Sequence, residues 1–342
     1  MNFRCLADAS LTIPKSGLVF VGENAQGKTS LLEAVCVLTR LHSPRTRRHT
    51  QLVQFQQGQF GIAGQLWGQN RRIDFSKGSH RLRVDDEERK TQSAYLEDGG
   101  LVVWMGNEDR NLITGPAEGR RRYLDFIASQ LYPNHRRALS RYRRILQARN
   151  ALLRDGRGES AEMTSFTTLL IEAGNLVTAG RRQLCEALVH PINTAQDQVG
   201  ASKESVQLEY RPGAGGDFTK ALVTSQEAEL RRGTTLVGPH RDDLKLRLND
   251  LRAADFASEG QQRTLALALK LGQGILLQEQ AGKTPIYLLD DIFGELDVGR
   301  RERLLANLPR PAQVLITTTN PSWLGHLSNL EIRTVKSGQV LD

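Results

Sequence analysis

The stretch V-F-V-G-E-N-A-Q-G-K-T-S-L-L-E-A, residues 19–34, decides the fold. It matches G-x-x-x-x-G-K-[ST] from Gly22 to Thr29, between an apolar run that follows Gly17 and a segment with apolar residues at helical spacing. In a P-loop, a glycine-rich turn between a strand and a helix directs backbone N–H groups and the helix N-terminus at phosphate groups. The stretch therefore predicts an α/β fold that binds a nucleotide.

Each position of this motif has a chemical reason. Gly22 and Gly27 let the backbone turn tightly, because they carry no side chain. The Lys28 ammonium is expected at the β- and γ-phosphates, and the Thr29 hydroxyl is expected to bind Mg²⁺. The predicted nucleotide-binding residues are Gly22, Glu23, Asn24, Ala25, Gln26, Gly27, Lys28, Thr29 and Ser30.

A second motif supplies carboxylates. P-I-Y-L-L-D-D, residues 285–291, is an apolar run that ends in two acids, as in a parallel strand that delivers carboxylates to its carboxyl edge. We predict that Asp290 holds Mg²⁺, directly or through water, and that Asp291 is the general base for hydrolysis. Alone, the run is equally typical of a strand followed by a surface turn, and the P-loop favours the catalytic interpretation.

A third motif opens an apolar helix with S-E-G-Q-Q-R, residues 258–263. Ser258 fits an N-cap with Gln261 as its capping-box partner, so a well-capped helix is one interpretation. The other is a signature helix of the ABC type, in which Ser258, Gly260 and Gln261 meet a γ-phosphate at the helix N-terminus.

Two shorter motifs complete the pattern of an ABC ATPase head. G-E-L-D, residues 294–297, follows the paired acids, and T-T-T, residues 317–319, follows the apolar run 314–316. Thr317 is the possible switch residue. The order of P-loop, insertion, S-x-G-Q, apolar-D-D, x-E-L-D and polar switch resembles that of ABC ATPase heads. This resemblance implies an ABC-ATPase-like P-loop head, an α/β fold with a mixed sheet.

Composition narrows the class of protein. Of the 342 residues 39% are hydrophobic and 25% are charged, which excludes collagen-like, low-complexity and wholly disordered chains. The three scattered cysteines Cys5, Cys36 and Cys185 exclude a disulfide framework and a Cys-rich zinc site. The sequence shows neither an apolar window of membrane-spanning length nor a secretory signal, so we expect a reduced, cytoplasmic protein with no membrane partner.

The positive charge is concentrated in one stretch. Residues 115–158 contain eleven arginines and three acids, which accounts for the whole formal net charge of +8. Such a field attracts nucleic acid first and an acidic membrane surface second, although a solvated helix face is the plain alternative. Three arginines share one face of a predicted helix and are the candidate DNA contacts: Arg137, Arg141 and Arg144. Because no groove-reading pattern accompanies them, we expect DNA binding without base-sequence preference.

Periodicity divides the chain. Alternating apolar and polar residues predict an antiparallel meander in the first hundred residues, with strands near 60–62 and 82–84, and further strands at 206–210 and 244–248. Helical patterning begins near residue 120 and is expected to end at His190-Pro191. We predict a split ATPase lobe and a helical, Arg-rich insertion domain: residues 1–119 with 200–342, and residues 120–199.

Several longer stretches carry a family resemblance. They are G-E-N-A-Q-G-K-T-S-L-L-E-A (22–34), E-D-R-N-L (108–112), G-R-R-R-Y-L-D (119–125), V-G-P-H-R-D-D-L (237–244), S-E-G-Q-Q-R-T-L-A-L-A-L-K (258–270) and D-D-I-F-G-E-L-D (290–297). Through these stretches, which extend over nearly the whole chain, the sequence resembles the RecF family within the DNA-repair branch of ABC ATPases. V-G-P-H-R-D-D-L is the most family-specific string.

The resemblance implies a function. It implies an ATP- and Mg²⁺-dependent DNA-binding protein that dimerises with ATP, the signature of one subunit meeting the P-loop of the other. It implies action at single-strand gaps and single/double-strand junctions, where the protein helps partner mediators to load a recombinase. It also implies a role in the SOS response. Slow, DNA-stimulated hydrolysis would work as a dimerisation switch in a cytoplasmic, nucleoid-associated protein.

The chain also departs from the family pattern. Gly294 stands where the family usually has Ser, the neighbouring Phe293 is bulky, and no Q-loop glutamine is identified. The family's usual opening strand before N-F-R is expected to be short or missing here. His240 and Arg241 either form a buried structural pair or face the nucleotide of the partner subunit.

Two other classes of protein compete with this interpretation. A transporter-type ABC ATPase carries the signature much closer to its P-loop and has a switch histidine where this chain has threonines. A GTPase or small-molecule kinase is weaker still: D-I-F-G, residues 291–294, imitates a GTPase motif, but the guanine-reading N-K-x-D is absent from the sequence.

Overall fold

The computed structural model describes residues 1–97, 99–200, 203–309, 311–326 and 330–341, apart from the side chains of 324–326. The chain forms two compact units. The first joins Met1–Asp109 with Leu277–Asp342, and the second is Arg110–Leu276. Both ends of the chain therefore belong to the same unit.

The regular elements are numbered along the chain. The strands are β1 (Gly17–Val21), β2 (Gln59–Leu66), β3 (Gln69–Ser76), β4 (Ser79–Val84), β5 (Glu87–Glu88), β6 (Val102–Gly106), β7 (Val206–Arg211), β8 (Asp243–Leu248), β9 (Leu251–Arg252), β10 (Ile286–Asp290), β11 (Val314–Thr318), β12 (Glu331–Lys336) and β13 (Gln339–Leu341). The helices are α1 (Lys28–Arg40), α2 (Gln92–Leu96), α3 (Asn111–Thr114), α4 (Ala117–Leu131), α5 (Pro133–Arg154), α6 (Ala161–Val199), α7 (Phe218–Arg232), α8 (Ala253–Phe256), α9 (Glu259–Ala281) and α10 (Val298–Ala306). Short 3₁₀ turns lie at His49–Leu52, Asn107–Arg110, Pro239–Arg241, Ile292–Glu295 and Pro321–His326.

A largely parallel sheet forms the centre of the first unit. Its strands follow the order β13-β12-β1-β11-β10-β6, and only the β12–β13 pair is antiparallel. The apolar runs at 18–21, 286–289 and 314–316 are almost entirely buried, as expected of strands covered on both faces. The predicted strands before the P-loop, the paired acids and the threonines are confirmed.

A second sheet in the first unit has the order β2-β3-β4-β5 and is antiparallel throughout. This confirms the predicted meander. Its apolar face packs on α1 in a buried core that includes Val37 and Leu38 of the helix and Phe60, Ile73 and Phe75 of the strands. The meander thus packs on the apolar face of α1.

A long helix pair, α5 and α6, occupies much of the second unit. Tyr142, Ile145, Leu170 and Val177 lie in its buried core, and α7 adds Phe218. The polar face of α5 is left at the surface. The helices predicted from the change in periodicity are therefore present.

The prediction that His190-Pro191 ends the helix is wrong, because α6 continues to Val199. Proline removes one backbone hydrogen bond and costs about 3 kcal/mol inside a helix. The cost is met here by burial: Pro191 is buried, and Ile192 approaches α9 so closely that a Cβ on Gly272 would lie 2.7 Å from its Cα.

The third sheet, β7-β8-β9, confirms the strands predicted at 206–210 and 244–248. It belongs to the second compact unit, where β7 packs on α6 and β8 on α4. Both boundaries predicted for the insertion, 119/120 and 199/200, fall inside that unit. The compact units thus have other boundaries than the predicted domains. The division of the chain into an ATPase lobe and a helical insertion stays a prediction, and it concerns function.

Three further observations concern the described part of the chain. Cys36 and Cys185 are buried, Cys5 is exposed, and none of the three forms a disulfide. None of the described helices, α6 included, combines the length and apolarity needed to cross a membrane. In the same residues, no group of three or more His, Cys, Asp or Glu side chains is placed to hold a metal ion.

Candidate functional site

The P-loop joins β1 to α1, and its two glycines are required by the local geometry. Gly27 precedes α1 with φ of 107°, a conformation that favours glycine. A Cβ on Gly22 would lie 2.3 Å from the carbonyl oxygen of Val335. Larger residues at either end would displace the loop.

The Lys28 ammonium lies inside this loop. Its Nζ donates to the carbonyl oxygens of Gly22, at 2.7 Å, and Glu23, at 2.8 Å. Burial lowers the pKa of Lys28, and the nearby carboxylates of Asp291 and Asp290 raise it. An incoming phosphate would compete with the two carbonyl groups for a cation that is already in place.

The turn between β12 and β13 supports the P-loop from outside. The Gln26 carbonyl oxygen accepts from the Gly338 N–H at 2.9 Å, and the Gln26 side-chain oxygen accepts from the Ser337 N–H. Gly338 has φ of 76°, and a Cβ there would lie 2.1 Å from the Cys5 carbonyl oxygen. Segments from both ends of the sequence thus fix the loop, a support that the sequence analysis did not identify.

Asp290 lies at the carboxyl edge of the parallel sheet, against the start of α1. Its Oδ1 accepts from the hydroxyls of Thr29 and Thr317, each at 2.8 Å. Burial raises the pKa of Asp290, and the two hydroxyl hydrogen bonds lower it. The structure thus brings the predicted metal residues Thr29 and Asp290 together although they are 261 positions apart.

Thr317 is buried between the two acids. Besides donating to Asp290, its Oγ1 accepts from the Asp291 N–H at 2.9 Å. Asp291 has φ of 52°, a left-handed conformation that Asp and Asn tolerate better than other side chains. Thr317 therefore links the Asp290 carboxylate to the Asp291 backbone, and its role as a switch stays a prediction.

The donor set fits Mg²⁺ bound together with a nucleotide. The Thr29 hydroxyl donates its proton to Asp290, which leaves its oxygen lone pairs available, and a carboxylate completes a pair of hard oxygen ligands. Mg²⁺ is usually held by one or two protein ligands plus phosphate oxygens and water. Two protein ligands are what this site provides.

A charged cluster beside the site was missed from the sequence. Glu33 of α1 is fully buried, and its two carboxylate oxygens accept from the Arg4 guanidinium at 2.8 Å each. Arg45 lies 3.7 Å from Glu33, is half exposed, and is close enough to Asp290 to lower the pKa of that acid. The basic run that starts at Arg45, directly after α1, was the signal that could have identified it.

The departures from the family pattern have local explanations. Apart from its chain neighbours, no atom of the described residues lies within 4 Å of a Cβ placed on Gly294, so serine would also fit there. Phe293 is fully buried and stacks on Trp323, with ring centroids 4.2 Å apart, so its bulk fills the core. β6, the neighbour of β10, is followed by the exposed residues Asn107 and Glu108, and neither is the glutamine of a Q-loop.

In the second unit, Ser258 and Gln261 form the expected capping box. The Gln261 N–H donates to the Ser258 hydroxyl oxygen at 3.2 Å, and the Gln261 side-chain oxygen accepts from the Ser258 N–H at 2.8 Å. Ser258 is exposed. Because the cap uses the hydroxyl oxygen as an acceptor, the hydroxyl proton remains available for an anion. The capping and signature interpretations are compatible.

The three candidate DNA contacts, Arg137, Arg141 and Arg144, are all exposed on α5. Arg141 pairs with Glu172 of α6 at 3.1 Å. Other arginines of the basic stretch are interior: Arg149, for example, is 4% exposed and pairs with a buried glutamate. The charge count from the sequence therefore overstates the surface charge, although the α5 face itself is cationic.

His240 and Arg241 do not form a buried pair. The His240 Nδ1 lies 2.6 Å from the Tyr142 hydroxyl, and its Nε2 lies 3.1 Å from the carbonyl oxygen of Thr235. Burial lowers the pKa of His240. Arg241 is exposed. His240 thus has structural partners in its own unit, while Arg241 faces solvent.

Comparisons with known proteins agree with this architecture. Residues 1–154 match a family model described as an AAA domain. The DNA replication and repair protein RecF of Bacillus cytotoxicus is 33% identical over 360 residues, which cover 99% of this chain and 96% of that protein. RecF of Halalkalibacterium halodurans is 34% identical over 360 residues with the same coverage of both chains.

Solved structures extend the likeness to the whole fold. The recombination mediator protein RecF with ATP, described within the RecFOR pathway, matches with a TM-score of 0.86 and 28% identity over 99% of this chain and 95% of that one. An Smc head domain from Pyrococcus furiosus matches with a TM-score of 0.53 and 16% identity over 99% of this chain and 93% of that one. The predicted fold class, an ABC-type ATPase head, is confirmed.

Proposed function

Because this chain belongs to the RecF family of DNA replication and repair proteins, we propose that it is an ATP-dependent DNA-binding protein whose dimerisation follows the bound nucleotide. The observation that carries the proposal is the convergence of Lys28, Thr29 and Asp290 at the carboxyl edge of the parallel sheet. ATP is the proposed nucleotide since the related RecF was solved with it, and Mg²⁺ is proposed because both protein ligands are oxygens.

Nucleotide competition, with and without DNA, tests this proposal. We expect ATP to displace a fluorescent ATP analogue far better than GTP does, and DNA to stimulate a slow hydrolysis. A preference for GTP would contradict the assignment. Equal rates of ATP hydrolysis with and without DNA would contradict the proposed coupling between ATP and DNA binding.

Asp291 is proposed as the general base for hydrolysis. Asp291→Asn should leave ATP affinity within about twofold of wild type but slow turnover by roughly 100-fold or more, because an amide is a poor base. The left-handed backbone at this position accepts Asn as well as Asp, so the variant should fold normally. Affinity and single-turnover rate are measured separately, and normal hydrolysis by the variant would exclude this role.

Dimerisation is proposed to place the signature of one subunit on the nucleotide of the other. Ser258 offers a hydroxyl proton at the start of the long helix α9, where the helix dipole also favours an anion. A γ-phosphate supplies that anion and ADP does not. Two such contacts form a symmetric, isologous dimer, so ATP would hold the subunits together until it is hydrolysed.

DNA binding is proposed at the cationic face of α5. The exposed guanidinium groups are proposed to contact phosphates, and no groove-reading pattern accompanies them in the sequence, so base-sequence preference is not expected. Family membership favours single-strand gaps and single/double-strand junctions as the DNA structures at which the protein acts. In this proposal the helical insertion, residues 120–199, supplies DNA contact and the rest of the chain supplies the ATPase.

Salt dependence tests the α5 face. If about four phosphates are neutralised, log K should fall with log salt at a slope of roughly −3 to −4 on duplex DNA. Replacing Arg137, Arg141 and Arg144 together with Glu should weaken binding and flatten that slope. A triple variant at other surface arginines of the meander, the exposed Arg72 and Arg81 and the half-exposed Arg83, controls for net charge. An unchanged slope in the α5 variant would assign the face to solvent or to a protein partner.

Partners and location complete the proposal. The related structure is described as a recombination mediator in the RecFOR pathway, so we expect this protein to work with other recombination mediators in loading a recombinase. A role in the SOS response and a cytoplasmic, nucleoid-associated location follow from the same proposed activity. Co-purification with mediator proteins in the presence of gapped DNA and ATP would test the partnership.

A further inference from the structure

A buried carboxylate lies behind the signature motif. Glu204 is 8% exposed, and each of its oxygens accepts one amide: Oε2 from Gln196 at 2.7 Å and Oε1 from Gln261 at 2.8 Å. In the described part of the chain no Lys or Arg forms an ion pair with it. A buried carboxylate held only by neutral groups is costly, so its retention calls for a reason.

The chemistry of the three groups gives that reason. A carboxylate only accepts hydrogen bonds, whereas a glutamine side chain both donates and accepts. Glu204 therefore holds the Gln261 NH₂ group, and the Gln261 oxygen must point the other way, at the Ser258 N–H. Were this amide to flip, its NH₂ would face the Ser258 N–H, donor against donor, and that arm of the cap would be lost.

Gln196 is oriented in the same manner. Its side chain is fully buried, its NH₂ donates to Glu204, and its oxygen has no hydrogen-bond partner among the described residues. The Gln196 amide keeps this orientation although its oxygen accepts no hydrogen bond from the described residues. In the flipped orientation the amide oxygen would face the Glu204 carboxylate oxygen, acceptor against acceptor. Glu204 is thus the acceptor that fixes both amides.

We propose that Glu204 is a positioning residue for the signature helix: through Gln261 it sets the direction in which Ser258 presents its hydroxyl to the γ-phosphate of a second copy of the chain. The inference rests on the proposed dimerisation. It assigns no contact between Glu204 and the nucleotide. ATP binding at Lys28 is accordingly independent of it, and only the step that joins two subunits responds.

Glu204→Gln is the sharpest variant, because it keeps the size and replaces one acceptor by a donor. The new amide cannot accept from Gln196 and Gln261 with two oxygens, so one of them loses its partner or flips. In an Asp291→Asn background, which blocks turnover, we expect ATP affinity to stay within about twofold and the dimer dissociation constant to rise about tenfold. Glu204→Asp, which remains acceptor-only, should recover part of the loss.

Two controls separate positioning from simple destabilisation. Glu209→Gln removes a charge from a half-exposed side chain of β7 in the same unit and should leave dimerisation unchanged. Gln261→Ala removes the relay, so Glu204→Gln should add nothing to its effect on dimerisation, whereas a merely structural Glu204 would give additive losses. The double-mutant cycle distinguishes a positioning role from a merely structural role of Glu204 even if Glu204→Gln lowers the melting temperature.

The outcomes are distinct. Normal dimerisation by Glu204→Gln, while Ser258→Arg fails to dimerise, overturns the role of Glu204 and leaves the proposed function intact. Additive losses in the Glu204→Gln, Gln261→Ala double variant overturn it as well. ATP-dependent dimerisation by Ser258→Arg contradicts the proposed function itself, and the positioning role is overturned together with it.

Discussion

Lys28→Met is expected to lower ATP affinity by at least about 100-fold, the largest effect of any single substitution in the site. The methionine side chain has nearly the same length but carries no charge, so neither the loop carbonyls nor a phosphate finds a donor there. The variant should fold, because an apolar group in place of a buried cation adds no desolvation cost. Titration with a fluorescent ATP analogue measures the loss.

Lys15→Met is the matched control, since Lys15 is exposed and precedes β1 at the opposite end from the P-loop. It should bind ATP normally. An unchanged melting temperature together with near-normal ATP affinity in Lys28→Met would show that Lys28 does not contact the nucleotide. The P-loop assignment would then fail at its central residue.

Ser258→Arg should abolish the ATP-dependent dimer while ATP affinity at Lys28 stays normal. The arginine is too large for a helix start pressed against a phosphate group of another subunit, and the loss of the serine oxygen removes half of the capping box. We expect wild type to be monomeric or weakly dimeric without nucleotide or with ADP, and dimeric with ATP. Light scattering in the Asp291→Asn background gives the clearest contrast.

Ser165→Arg provides the corresponding control, because Ser165 is exposed on α6 and only donates to a carbonyl of its own helix. It should dimerise with ATP as wild type does. Loss of dimerisation in both variants would point to added charge rather than to the signature. A Ser258→Arg protein that still dimerises with ATP would exclude a trans role for this serine.

Local sequence patterns predicted the elements that carry the nucleotide site. The strand–turn–helix around Lys28 and the capping box of Ser258 and Gln261 depend on neighbours within a few positions, so the sequence displays them directly. Asp290 was recognisable as the end of an apolar strand. The hydroxyl of Thr317 between the two acids was not, because pairing between distant strands leaves no local pattern.

The wrong prediction at Pro191 has the same origin. Proline disfavours a helix locally, but close packing of Ile192 against Gly272 outweighs that preference, and no nearby residue announces the contact. The count of arginines in the basic stretch overstates the surface charge for a related reason, because some of these arginines are buried against acids that are distant in sequence. Arg149, one of the arginines counted, is 4% exposed and pairs with Glu229, which is far from it in sequence.

The position of β1 has a consequence for how the protein is made. β1 pairs with β11 on one side and β12 on the other. The Gly338 N–H, in the turn after β12, donates to the carbonyl oxygen of Gln26 in the P-loop. On the ribosome, the nucleotide-binding loop emerges early, but its flanking strands emerge almost three hundred residues later, whereas residues 110–276 are contiguous and can collapse as they appear. Nascent or prematurely terminated chains thus cannot complete the loop, and the ability to bind ATP would arise only once translation has passed Gly338.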